Sequence, residues 1–204
     1  ISCGLLIVVV LVVFHGTVVR AYYRFRLNWG HSRTVCDAAH YLGSVKDRRA
    51  VPKLIELLDV RGSARAPVGA DAAQALGHIG DPRAIAPLCR AIAPDRQPPK
   101  GPRFLGAAIE ALGTLGGKEA ETAISQHVGH RNLSVRTSVL IALAEIGSDS
   151  AKDTLAGMAD DTELDVRRNV GYMLAKLKDM RAIPYLLKIA KEEKWERTDV
   201  AQAL

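Results

Sequence analysis

Leu42, Leu76, Leu112, Leu143 and Leu174 each close a short alanine-rich stretch, and Leu204 closes a sixth. The spacings between these anchor leucines are 34, 36, 31, 31 and 30 residues. Eight residues after each of the first five stands an alanine: Ala50, Ala84, Ala120, Ala151 and Ala182. Four further on comes an aliphatic residue, Leu54, Leu88, Ile124, Leu155 or Leu186. A stride of four keeps these positions on one helix face. A constant offset from the anchor leucine requires a tight, fixed turn. The pattern therefore predicts a repeating unit of helix A, short turn, helix B. One such pair cannot bury its own apolar face, whereas stacked pairs share a continuous core. The expected fold is all-α, a right-handed α-solenoid of about five and a half short helix pairs. The repeats fall near 34–62, 68–93, 104–130, 135–160 and 166–192, with a partial one at 196–204.

Turn chemistry fits this reading. Asp81-Pro82 supplies an N-cap followed by a proline at the first helical position, where its missing N–H costs nothing. Asp47, Ser148 and Asp179 take the equivalent cap position, with Gly117 at the fifth. Gly43, Gly77 and Gly113 directly follow anchor leucines, which predicts that they terminate helix A.

Residues 1–19 break the pattern. They contain no Asp, Glu, Lys or Arg, and the run from Gly4 to Phe14 reads as hydrophobic all round. Residues 1–23 as helix would be roughly 34 Å long at ~1.5 Å per residue, enough for a ~30 Å hydrocarbon core. Arg20, Tyr22, Tyr23, Arg24, Phe25, Arg26 and Trp29 follow, an interleaving that suits an interface belt with a positive inner flank. This predicts a transmembrane helix at 1–23, a basic and aromatic juxtamembrane linker at 24–33, and the repeat domain at 34–204 on the cytoplasmic side. A cleaved signal peptide fits less well, because its charges should precede the apolar run.

The wording Ala-Leu-Gly-His-Ile-Gly-Asp-Pro-Arg-Ala-Ile-Ala-Pro-Leu over 75–88 resembles the short HEAT-like repeats of the phycobilisome-lyase type. Met180-Arg-Ala-Ile-Pro-Tyr-Leu-Leu and Arg49-Ala-Val-Pro-Lys-Leu match the same helix-B wording. The resemblance covers 34–204 and is specific for fold, not for activity. It implies a family that spans bilin lyases, DNA-repair-like proteins, regulators and plain scaffolds.

Charge divides unevenly. Residues 1–33 carry four Arg and no acid, 34–103 carry 11 basic and 7 acidic side chains, and 104–204 carry 13 basic and 15 acidic, which together give the net +6. Two inserted loops between repeats hold Arg61, Arg65, Arg96, Lys100 and Arg103 on one predicted rim, a candidate contact for a partner or for lipid headgroups. The polar ladder on the helix-B face is expected to include Lys53, Glu56, Arg90, Gln126, Tyr185 and Lys188.

Chemistry-bearing groups are sparse. His15 in the apolar helix is a candidate pigment or haem ligand. Cys36 and His40 stand four apart, but two ligands do not make a zinc site, and Cys36 reads as a small core residue. His127 and His130 read as surface histidines. Arg136, Arg167 and Arg197, with Asp165, Asp179 and Asp199, read as a ladder between successive repeats rather than an acid–base cluster. No phosphate loop and no nucleophile–His–acid signature is present, so the sequence points to no catalytic residue, no metal and no cofactor. The expected function is a membrane-tethered scaffold or accessory subunit that binds other protein subunits. The alternatives are a bilin lyase or isomerase-like enzyme and a nucleic-acid-binding repeat protein. The sparse aromatics and the acidic distal half weigh against nucleic acid.

Overall fold

The structure is a computed structural model. It describes the backbone of residues 3–59, 66–95 and 101–193, with side chains for 16–59, 67–95 and 101–190. The described residues form eleven α-helices and no strand. The chain divides into two compact units, Ile1–Ala84 and Ile85–Leu204.

In the first unit, α1 (Cys3–Trp29) turns through Gly30 and His31 into α2 (Ser32–Ser44). A 3-10 turn (Arg48–Ala50) leads into α3 (Val51–Leu57), and α4 (Ala66–Ile79) follows, with a second 3-10 turn at Pro82–Ala84. Helix α1 packs on α2, α2 on α4, and α3 on α4. The second unit holds α5 (Ile85–Ile92), α6 (Pro102–Leu115), α7 (Lys118–Ser125), α8 (Leu133–Ile146), α9 (Asp149–Gly157), α10 (Leu164–Lys176) and α11 (Ala182–Glu193). Here α6 packs on α8 and α8 on α10, while α7, α9 and α11 lie against the A helices of their own repeats. This is the helical-repeat arrangement of an α-solenoid.

The core follows the sequence period. Leu42, Leu76, Leu112, Leu143 and Leu174 are all 0 % exposed, as are Leu54, Leu88, Ile124 and Leu155 on the B helices. Capping is local. The carboxylate Oδ1 of Asp47, Asp81 and Asp179 each accepts from the backbone N–H two residues on, at 3.0 Å. Ser148 Oγ accepts from Ala151 N–H at 3.0 Å, and Asn132 Oδ1 from Val135 N–H at 3.3 Å.

Two readings of the sequence are corrected here. The first is the membrane span and its linker. Among the described residues no helix is long and apolar enough to cross a membrane. The side chains of residues 1–15, which carry most of the apolar run, lie outside the described ones. The described half of α1 belongs to the repeat packing. Leu27 is 2 % exposed, the Tyr23 and Tyr41 rings stack with centroids 4.1 Å apart, and Arg24 Nη1 lies 3.4 Å from Asp47 Oδ2. Residues 24–33 are thus the end of α1 and the start of α2, not a linker. The single-pass placement, with the repeats on a cytoplasmic side and the membrane as partner, falls with the span.

The second correction concerns the glycines. Gly43, Gly77 and Gly113 lie inside α2, α4 and α6. The helix ends are marked instead by Gly80 (φ +71°), Gly116 (φ +71°) and Gly147 (φ +63°), in the left-handed region that glycine tolerates. Gly43 and Gly113 serve close approach. A Cβ on Gly43 would sit 3.0 Å from Ala75 Cα, and one on Gly113 only 2.6 Å from Ala142 Cα. Gly113→Ala is therefore expected to cost about 1–3 kcal/mol, the usual range for overpacking. A chemical denaturation curve unchanged from that of the parent chain would show that α6 and α8 separate without penalty.

Candidate functional site

Among the described residues, one set of polar side chains ties repeats together and another stands on the outer faces. In the first set, Arg136 is buried at the start of α8. Its Nε lies 2.8 Å from Asp161 Oδ2, its Nη2 donates to Asp161 Oδ1 at 3.0 Å, and its Nη1 donates to His130 O at 2.9 Å. Arg167 Nη1 donates to the carbonyls of Asp161 and Thr162 at 2.9 and 3.1 Å. The expected ladder therefore forms around Asp161, which the sequence reading did not single out. Asp165 pairs with Arg168 at 3.2 Å, while Arg197 and Asp199 lie outside the described residues.

A second set of ties was missed: the Asp-x-Arg turns. Arg181 Nε and Nη2 grip Asp179 at 2.9 and 2.6 Å, and its Nη1 reaches back to Asp153 on the preceding repeat at 2.7 Å. Arg83 grips Asp81 in the same way, at 3.0 and 2.7 Å. These guanidinium bonds hold the carboxyls of Asp81 and Asp179 down at about 2, with the caps' backbone N–H groups adding to the effect. The recurring Asp-x-Arg-Ala wording at 47–50, 81–84 and 179–182 was the available signal. Hydroxyl–carboxylate bonds also join A helices of successive repeats, Ser138 to Glu110 at 2.8 Å and Thr114 to Glu145 at 3.2 Å.

His127 corrects the reading of two surface histidines. It is 5 % exposed, and its Nε2 lies 2.8 Å from Ile92 O, so that nitrogen carries the proton. His130, half-buried, accepts from Asn132 N–H at Nδ1, 3.1 Å away. Burial lowers the His127 pKa below its ordinary 6.5, against the opposing bond to Ile92 O. The folded state therefore favours the neutral ring. The stability this contributes is full above pH 6.5 and declines as pH falls from there toward the lowered value. Melting temperatures from pH ~7.5 to ~5.5 should fall more steeply for the parent than for His127→Gln; parallel curves would contradict a buried neutral ring.

Cys36 is half-buried rather than a core residue, and His40 is exposed, with its Nε2 3.9 Å from Asp71 Oδ1. Cys89 is half-buried, and burial pushes its thiol up to about 11, which keeps it protonated and unreactive. Among the described residues no group of three or more metal-ligating side chains gathers. The side chain of His15 lies outside the described ones.

The outward set is the helix-B ladder. Glu56, Arg90, Gln126 and Lys188 are exposed, while Lys53 and Tyr185 are half-buried. The structure brings two of these together: Lys53 Nζ lies 2.6 Å from Glu56 Oε2. Both line a cleft of about 250 Å³ with Asn28, Ser32 and the buried side chains of Leu27, Val35, Leu57 and Val68. Asn28 and Ser32 were missed because they meet α3 only through the α1–α2 turn. Lys188 pairs with Asp160 at 3.3 Å. Of the basic rim, Arg61, Arg65, Arg96 and Lys100 lie outside the described residues, and Arg103 is exposed in the first turn of α6.

The family model for HEAT repeats matches residues 31–100 and 101–170, more than half of the chain. The chain belongs to the HEAT-repeat family. Its fold is similar to a chain in the complex of CpcE and CpcF of phycocyanin lyase from Nostoc, with a TM-score of 0.65 and 22 % identity, covering 83 % of this chain and 69 % of that one. It is also similar to an engineered protein, with a TM-score of 0.56 and 19 % identity over 90 % of this chain and 92 % of that one. No curated protein sequence matches this chain. Identities this low bear on the fold alone.

Proposed function

We propose that this HEAT-repeat chain is a scaffold or accessory subunit that acts by binding another protein through its helix-B face, without a covalent step. The observation that carries this reading is how its polar groups are used. Arg136, Asp161, Arg181 and Asp179 hold repeats and turns together. Glu56, Arg90, Gln126 and Lys188 stand exposed at the repeat period. Exposed side chains of mixed charge with few aromatics suit recognition of a protein more than enclosure of a small molecule. The likeness to a protein solved in complex with a second chain supports the same reading.

The test uses the tagged full chain and a variant with Arg90→Glu and Lys188→Glu, both exposed positions. Quantitative mass spectrometry of the proteins that co-purify from native extract should show at least one companion depleted about tenfold in the variant, as for loss of central charged contacts. An unchanged set of companions would overturn the helix-B face as the binding surface. A lyase-like role rests on the fold likeness to the phycocyanin lyase chain. Titration with free bilin, read by a shift of its absorbance band, separates that reading from a scaffold.

A further inference from the structure

We infer that the outward face of α1 is a docking surface for an amphipathic helix that carries acidic side chains, presented by a partner protein. This rests on the protein-binding reading above and names a second surface for it.

Val18, Tyr22, Phe25 and Trp29 are 51, 52, 62 and 78 % exposed. Their spacing is 4, 3, 4, which sets them in one line along the helix. The residues that pack on α2, Tyr23 and Leu27, lie about half a turn away on the opposite side. The line thus faces away from the repeat core. Alternating steps of four and three make the seam of a coiled coil, which a second helix fills with its own side chains. A strand or irregular loop does not match that period. Three aromatics covered together remove several hundred Å² from water at about 150–250 Å² each. That is comparable to the largest apolar patch on a typical monomer, and such patches are often functional.

Arg26 selects the charge of the occupant. It sits beside the seam, one residue after Phe25, where a coiled coil places its flanking charges. Its Nη1 donates to the Tyr22 hydroxyl at 3.0 Å, and its guanidinium lies 5.5 Å from the centre of the Tyr22 ring. No carboxylate pairs with it among the described residues, and the first acidic residue of the chain is Asp37. The bond to Tyr22 fixes both side chains before a partner arrives, which reduces the ordering cost of binding. Trp, Tyr and Arg are also the residue types that dominate binding energy at protein interfaces. Pairing of α1 with α1 of a second copy, in either direction, would offer Arg26 no carboxylate, because residues 1–36 hold no Asp or Glu.

The chain contains two tryptophans. In a Trp195→Phe background Trp29 alone reports on the seam. The probes are two synthetic amphipathic helices with the same leucine seam, one flanked by Glu and the other by Lys. The full chain should show a saturable blue shift of Trp29 emission with the Glu peptide, at least about tenfold tighter than with the Lys peptide and weakening as salt rises. Phe25→Ser should weaken binding about tenfold without changing helical content by circular dichroism, because Phe25 is exposed. Arg26→Gln should keep a shift while removing the preference for Glu over Lys.

Several results would overturn the inference: no shift with either peptide, or equal affinity for both. A shift that grows with protein concentration alone would assign the face to a second copy of this chain. A shift with vesicles of phosphatidylcholine and phosphatidylglycerol but with neither peptide would assign it to lipid. The titration stands apart from the co-purification test. If Arg90→Glu with Lys188→Glu loses its companion while the peptides fail, only the α1 surface is refuted; the reverse outcome refutes the helix-B face.

Discussion

Arg136→Met should lower the unfolding free energy by about 3–5 kcal/mol, the largest loss expected from any single change to a polar residue here. The side chains of Arg136 and Asp161 are 9 % and 10 % exposed, and the two face each other through a bidentate contact. Removing the guanidinium leaves a carboxylate shielded from water with its main counter-charge gone. It also frees the His130 carbonyl, which accepts from Arg136 Nη1. The cost is therefore mostly that of stranding Asp161, not the net worth of the pair. Pairing Arg136→Met with Asp161→Leu should recover a substantial part of the loss, because both charges then leave together. Urea denaturation of the parent, the two single variants and the double variant measures this. A loss under about 1 kcal/mol for Arg136→Met would place the pair in the energetic class of exposed ion pairs.

Leu76→Ala should cost about 2–5 kcal/mol, the range for truncating a buried leucine in a core that cannot collapse around the gap. Leu76 is 0 % exposed on α4, the helix that packs on both α2 and α3. The nearby contact of Gly43 with Ala75 Cα, as close as 3.0 Å for an added Cβ, leaves the α2 and α4 backbones little room to move together and fill the void. The same denaturation experiment reads the effect. A change below about 1 kcal/mol would mean that the anchor leucines do not mark the interior of the array.

The anchor leucines and the B-helix stripe were legible because helix period and burial act on the same positions. Asp81, Asp179 and Ser148 were legible as caps because side-chain chemistry and position coincide there. Gly43 and Gly113 were misread for a physical reason. A glycine after a leucine near a helix end satisfies both chain termination and close helix approach, and only the distance to the neighbouring backbone separates them. His127 was misread because its burial depends on a carbonyl 35 residues upstream, Ile92 O. The end of α1 was misread because arginines interleaved with aromatics suit an interface belt and a packing helix equally. What distinguishes them is the stacking of Tyr23 on Tyr41 and the reach of Arg24 to Asp47. On the candidate face, exposure of Glu56, Arg90, Gln126 and Lys188 followed from helix period. The cleft did not, because it needs the turn at Gly30 to bring Asn28 and Ser32 against α3.

The glycine contacts also bear on how such an array can change its length. Gly113 on α6 meets Ala142 on α8, with no space for even one added carbon between them. The residue that corresponds to Ala142 one repeat later is Met173, which likewise precedes its anchor leucine. Excising the repeat built from α8 and α9 would bring Met173 opposite Gly113 and force a longer side chain into that contact. The repeats therefore share a design without being interchangeable. Gain or loss of one unit in a descendant gene would need matched substitutions on both helices at the new junction.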